Sequence, residues 1–195
     1  MRKINQIISQ GVPLPLDEVD TDQIIPARFL KSTTKDGFGD NLMRDWRYDD
    51  QNQKIASFPL NDSRYSGSIL VVGNNFGCGS SREHAAWAIA DYGFQVIIAK
   101  SFADIFKNNA LNNGILPIVI PAEKVDQLIE AIQKDPQITI RVNLGSKVVE
   151  FLNQTFPIEI NDYKRTCLMN GFDDIDYLIN MRAEIETFEK QYSRF

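Results

Sequence analysis

The residues best suited to chemistry lie in GNNFGCGSSREHAA, residues 73–86, where glycines, two neighbouring hydroxyls and an arginine follow a short apolar run. Gly77 and Gly79 let the backbone approach a ligand closely, and the first N–H groups of a helix starting just beyond them have no intrahelical partner. The helix dipole adds about half a positive charge at that end. Ser80 and Ser81 can donate hydrogen bonds, and Arg82 offers a planar fork that matches a carboxylate or phosphate. Such a cradle suits an acid. The same residues also suit a plainer role, a helix start capped by Ser80 or Ser81 with Arg82 paired to a nearby acid.

Spacing removes several other chemistries. A nucleotide-binding P-loop needs Gly-Lys-Ser/Thr where this chain has Gly79-Ser80-Ser81, and the dinucleotide fingerprint needs a third glycine where it has Arg82. No G-x-S-x-G elbow occurs, and a serine triad would have to use His84, four residues after Ser80, a position that suits a capping or core histidine better. A second cluster, DEVDTDQIIPAR at residues 17–28, puts four acids before an apolar turn. It fails the EF-hand pattern, which wants Asp or Asn and then glycine where Ile24 and Ile25 stand. Either these are solvated turn acids, or carboxylates and Arg28 sit near a site. Cys78, Cys167 and the single histidine cannot enclose a structural zinc or a four-iron cluster, which take three or four thiolate or imidazole ligands, so no metal site is expected in this chain.

The elements that would position these groups alternate between strand and helix. Residues 68–73 read as a buried strand leading into the glycine loop, and residues 83–92 as a helix stopped by Gly93. The pattern continues with a strand at 95–100, a helix at 101–113 with Ser101 and Asp104 spaced as a capping box, and a strand at 115–120. Residues 122–134 carry Val125, Leu128, Ile129 and Ile132 at helical spacing. Residues 137–143 and 147–152 alternate like a hairpin, with 156–160 as a third strand, so the sheet is expected to be mixed. The apolar stripe after residue 174 predicts a C-terminal helix. The α/β layering places ligands where strand ends meet helix starts. Residues 31–64 read as a long loop, either a mobile lid over the site or an excursion anchored by Phe38, Leu42 and Trp46.

With 195 residues, 43% of them apolar and 24% charged, the chain is expected to form one elaborated soluble domain. A net charge of −5 argues against nucleic-acid or anionic-membrane partners. No apolar run reaches the ~18 residues of a spanning helix, and the expected location is cytoplasmic.

The motifs EVDTDQIIPARFLK, GFGDNLMRDWR, NNFGCGSSREHAAWAIADYGF, SFADIFKNNALNNGILPI and CLMNGFDDI occur in one order along nearly the whole chain. Together they resemble the small subunits of bacterial 3-isopropylmalate dehydratases, members of the aconitase superfamily. The resemblance implies the swivelling β/β/α domain that aconitase carries last, here as a separate chain. It implies that Ser80 is the catalytic base and that Gly79, Ser81 and Arg82 bind substrate. Thr21 and Asp22 resemble the family's threonine-aspartate pair near the active site, and Arg28 is a looser inference of the same kind. Cys78 stands where aconitase usually has glutamate, as in the isopropylmalate-type proteins.

The resemblance further implies a hydro-lyase of leucine biosynthesis, active only with a large subunit that carries a four-iron four-sulfur cluster, on a dicarboxylate substrate. Related isomerases acting on citraconate, dimethylmaleate or homoaconitate stay open, since the residues meeting the alkyl group are expected within 31–47. A non-catalytic carboxylate-binding module also stays open, because the loop and Arg82 would serve either role.

Overall fold

The computed structural model describes residues 1–31 and 37–192. Seven strands form one mixed sheet in the order β4-β3-β2-β1-β5-β6-β7: β1 (Gln6–Leu14), β2 (Ile69–Val72), β3 (Val96–Ala99), β4 (Leu116–Val119), β5 (Thr139–Asn143), β6 (Val148–Phe151) and β7 (Gln154–Pro157). Strands β1 to β4 run parallel, while β1–β5, β5–β6 and β6–β7 pair antiparallel. The helices are α1 (Thr21–Ile24), α2 (Arg44–Arg47), α3 (Glu83–Tyr92), α4 (Asp104–Asn112), α5 (Ala122–Lys134), α6 (Asp162–Asn170), α7 (Asp174–Asn180) and α8 (Arg182–Tyr192).

Strand β1 is the hinge of this topology, and its composition hides it. Gly11 and Pro13 look like breakers, yet the β5 ladder uses only Gln6 to Gln10 and the β2 ladder takes over from Gly11. Pro13 therefore lies beyond the β5 ladder, where its missing N–H removes no bond on that side. Strand β2 is buried on both faces: Leu70 and Val72 pack with α3 residues Ala85 and Ile89, and Ile69 and Val71 pack with the Val125, Leu128, Ile129 and Ile132 stripe of α5. Helices on both faces explain why the parallel strands read as continuous apolar runs.

Several boundaries differ from the sequence expectation. Helix α4 begins at Asp104, with Ala103 as N-cap and no side-chain cap, so the Ser101–Asp104 capping box does not form. Residues 101–103 instead bridge to the glycine loop through Phe76 and Phe102, and the Ser101 hydroxyl donates to Asn74 Oδ1. The third strand of the meander starts at Gln154, because Leu152 and Asn153 both take positive φ and close a tight hairpin turn. The C-terminal segment forms two helices, separated at Met181, rather than one, and residues 193–195 of that expectation lie outside the described residues. The asparagine-capped α6 was not anticipated.

Within the expected loop at 31–64, residues 32–36 lie outside the described residues. The remainder contains α2 and two 3₁₀ turns, with Phe38, Leu42 and Met43 buried in the core and Trp46 packed against it. Arg47 is 4% exposed and spends its guanidinium on the carbonyls of Gly39 and Leu42 and on Asn61. No helix of the described residues is long and apolar enough to cross a membrane.

Candidate active site

The glycine loop leaves the carboxyl end of β2 and is clamped on two sides by segments leaving the ends of β1 and β3. On the β1 side, Gly77 N–H donates to the Val19 carbonyl at 2.8 Å, Thr21 N–H to the Cys78 carbonyl at 2.9 Å, and Asn74 N–H to Asp17 at 2.6 Å. On the β3 side, Phe76 N–H donates to the Ser101 carbonyl and Ala103 N–H returns a bond to the Phe76 carbonyl, both at 3.1 Å. These are adjacent parallel strands, and their carboxyl ends are where open α/β sheets bind ligands. Gly77 has φ of +79°, and a Cβ there would sit 2.1 Å from the Phe106 ring, so α4 is pressed directly onto the loop.

The acids of residues 17–22 are structural clamps rather than idle turn residues. Asp20 caps α1 in a reciprocal capping box with Gln23, and Glu18 takes the side-chain amides of Asn74 and Asn75. Asp22 reaches the loop itself: its carboxylate accepts from both terminal nitrogens of Arg82, at 2.8 Å for Nη2. The third guanidinium donor, Nε, meets Ser80 Oγ at 2.9 Å. Thr21, 2% exposed, anchors the same residue from beneath by donating its hydroxyl to the Ser80 carbonyl at 2.8 Å. Ser80 is thus held by its backbone and addressed at its oxygen by a cation whose own direction is set by a carboxylate.

The expected helix start also differs in detail. Arg82 itself is the N-cap residue of α3, and neither serine caps the helix, which leaves both hydroxyls exposed at the loop surface. His84 offers nothing to Ser80. Its ring packs between Phe38, at 5.6 Å, and Trp87, at 4.5 Å. Cys78 directs its thiol to the Glu18 carbonyl, and burial, then Glu18 and Asp20, push its pKa up, so it stays a thiol at neutral pH. No cluster of three or more histidine, cysteine or acidic residues that could hold a metal occurs among the described residues.

Thr21, Gly79, Ser80, Ser81 and Arg82 line one cavity of about 260 Å³. Asp22 acts on that cavity through Arg82. Arg28 does not line it: it forms an exposed ion pair with Asp45 above Phe29, beside a separate recess shared with Arg44 and Tyr48. The opposite wall is made by α4, through Ile105, Phe106 and Asn109. Sequence reasoning gave these no role, although Ile105 and Asn109 stand one helical turn apart in SFADIFKNNALNNG. Larger recesses of about 450 and 520 Å³ exist elsewhere, but neither gathers the helix start, loop glycines and paired hydroxyls found here.

The aconitase C-terminal domain model matches residues 1–123, which include the loop, both clamping segments and α4. A 3-isopropylmalate dehydratase small subunit from Azobacteroides pseudotrichonymphae is 53% identical over 97% of this chain and 98% of its own length. This chain belongs to the aconitase-related family of 3-isopropylmalate dehydratase small subunits. A second small subunit, from Karelsulcia muelleri, is 52% identical over 98% of each chain. The crystal structure of a 3-isopropylmalate dehydratase from Methanocaldococcus jannaschii is similar, with a TM-score of 0.64 at 27% identity, over 94% of this chain and 99% of that one. Family membership accords with the expected architecture, the mixed sheet flanked by helices.

Proposed function

We propose that this chain is the small subunit of a 3-isopropylmalate dehydratase, a hydro-lyase of leucine biosynthesis that converts 2-isopropylmalate to 3-isopropylmalate by loss and return of water, in complex with a large subunit. The single observation that carries the site assignment is Arg82, which pairs with Asp22 through its two terminal nitrogens while donating from Nε to Ser80 Oγ. Serine is a weak base unless its alkoxide is stabilised, and a guanidinium hydrogen bond, the nearby α3 amino end and the loop amides all favour the charged oxygen.

Ser80 Oγ takes the proton from the carbon beside one substrate carboxylate and returns a proton to the neighbouring carbon on rehydration. Ser81, the Gly79 backbone and Arg82 hold a carboxylate and the charge developing on it, at the end of α3 that favours anions. Thr21 and Asp22 orient Ser80 and Arg82, so both are positioning residues. Arg28 lies outside this cavity, in an exposed ion pair with Asp45, and has no part in these steps. The large subunit supplies the four-iron four-sulfur cluster, a Lewis acid for the departing hydroxide. The two chains meet over the cavity in the cytoplasm, where thiols stay reduced.

Anaerobic mixing of this chain with its large subunit, followed by ultraviolet absorbance of the unsaturated diacid formed from 2-isopropylmalate, tests the proposal. Turnover that needs both chains supports it. Equal turnover by the large subunit alone refutes it, and a mixture that converts citraconate but not 2-isopropylmalate reassigns the substrate.

A further inference from the structure

We infer that Asn109 is a further substrate-binding residue of this site, donating its carboxamide to a carboxylate of the substrate; the inference rests on the function proposed above. Helix α4 is fixed against the serine loop by the Phe76–Phe102 bridge and by Phe106 lying directly against Gly77. Its register relative to Ser80 is therefore set by backbone bonds and a buried ring. Ile105 and Asn109, one turn apart on that helix, line the same cavity as Ser80, Ser81 and Arg82.

The Asn109 side chain makes no hydrogen bond with any other described residue; its backbone carbonyl alone is used, by Asn113. Half-buried amides normally find partners, and one left open toward the cavity that Ser80 and Arg82 line is a donor in waiting. The chemistry of the site supplies the need. A dicarboxylate requires anchors for two carboxylates, and Gly79, Ser81 and Arg82, all on the loop side of the cavity, account for one of them. A neutral amide on the facing wall can hold the second carboxylate without adding a charge that competes with the Arg82–Ser80 hydrogen bond.

The test uses the assembled two-chain enzyme. Asn109→Asp keeps the shape but sets a negative charge against the substrate, and Asn109→Ala removes the amide. The KM for 2-isopropylmalate is expected to rise about 10-fold in Asn109→Ala, the scale of one hydrogen bond to a charged group, and on the order of 10²-fold in Asn109→Asp, with kcat changing less. The thermal midpoint and the affinity for the large subunit should stay at wild-type values. A folded, partner-bound Asn109→Asp with wild-type KM overturns the inference, as does a loss confined to thermal stability or subunit affinity. If the aspartate variant does not fold, Asn109→Ser reads the same shift. A wild-type complex that leaves 2-isopropylmalate unconverted strikes the proposed function itself, a result distinct from an active enzyme indifferent to residue 109.

Discussion

Replacing Asp22 by asparagine separates the positioning of the catalytic loop from its folding. Asp22 is 54% exposed and Arg82 18% exposed on their side chains, so solvent screens the pair and its loss should change stability by no more than ~1 kcal/mol. For a domain of this size that is a shift of about 2–4 °C in thermal midpoint. The kinetic effect should be much larger. The asparagine amide presents one oxygen and no charge, so it cannot hold both terminal nitrogens of Arg82, and the Nε bond to Ser80 Oγ loses its fixed direction. Misplacement of a catalytic group by about 1 Å can cost on the order of 10²-fold. Turnover in the reconstituted complex should therefore fall about 10- to 10²-fold. The KM should not rise, because the guanidinium, released from Asp22, is freer to meet the substrate carboxylate. Steady-state kinetics with 2-isopropylmalate and a parallel thermal melt read both quantities. Wild-type kcat in folded, partner-bound Asp22→Asn would refute the positioning role and leave Asp22 an ordinary surface ion-pair partner.

Ser80→Ala should lower kcat on the order of 10²-fold or more with little change in substrate affinity, because the hydroxyl is used only as the proton moves; normal turnover would make the loop a binding cradle only. Arg82→Lys retains charge but loses the planar fork that pairs bidentately with Asp22 while Nε meets Ser80, so KM should rise and kcat fall together, and an unchanged KM counts against carboxylate binding. Gly77→Ala should destabilise the fold by about 2–4 kcal/mol in chemical denaturation, since the methyl meets the Phe106 ring at positive φ; a loss under 1 kcal/mol would mean that α4 is not packed as described. The Asp174 carboxyl is held below its ordinary range by Lys164, then by Tyr163. A depressed folded-state pKa stabilises above the unfolded value near 4 and is lost as pH falls through the folded one, so the α6–α7 junction should loosen only in acid, below about pH 4. Amide exchange or proteolysis at residues 172–181 would report it, and equal protection at pH 3 and pH 7 would contradict it.

Local patterns carried much of the architecture. The 122–134 helix was legible to the residue because a surface helix on a sheet shows its buried stripe at 3.6-residue spacing, and Gly93 closes α3 because only glycine accepts φ of +114° there cheaply. The glycine loop announced itself because close backbone approach and free helix N–H groups need particular residue types at particular offsets. Strand β1 did not, since whether Pro13 breaks a ladder depends on which neighbour pairs beside it, a fact held by β2 and β5 far along the chain. Ser101 illustrates the same limit: its spacing to Asp104 satisfies a local capping rule, but the bridge to Phe76 claims residues 101–103 first.

At the site, sequence supplied the residue types, and tertiary packing decided their partners. Nothing local to Ser80 says that Asp22, 60 positions before Arg82, directs that arginine onto the serine hydroxyl, or that Asn109 on another helix lines the same cavity. Nor does the acidic run at 17–22 reveal which carboxylate clamps the loop and which caps a helix. Composition and spacing determine what a residue can donate, accept or fit. Which group receives it follows from the parallel order of β1, β2 and β3, whose carboxyl ends bring two distant segments within hydrogen-bonding reach of the loop that leaves β2.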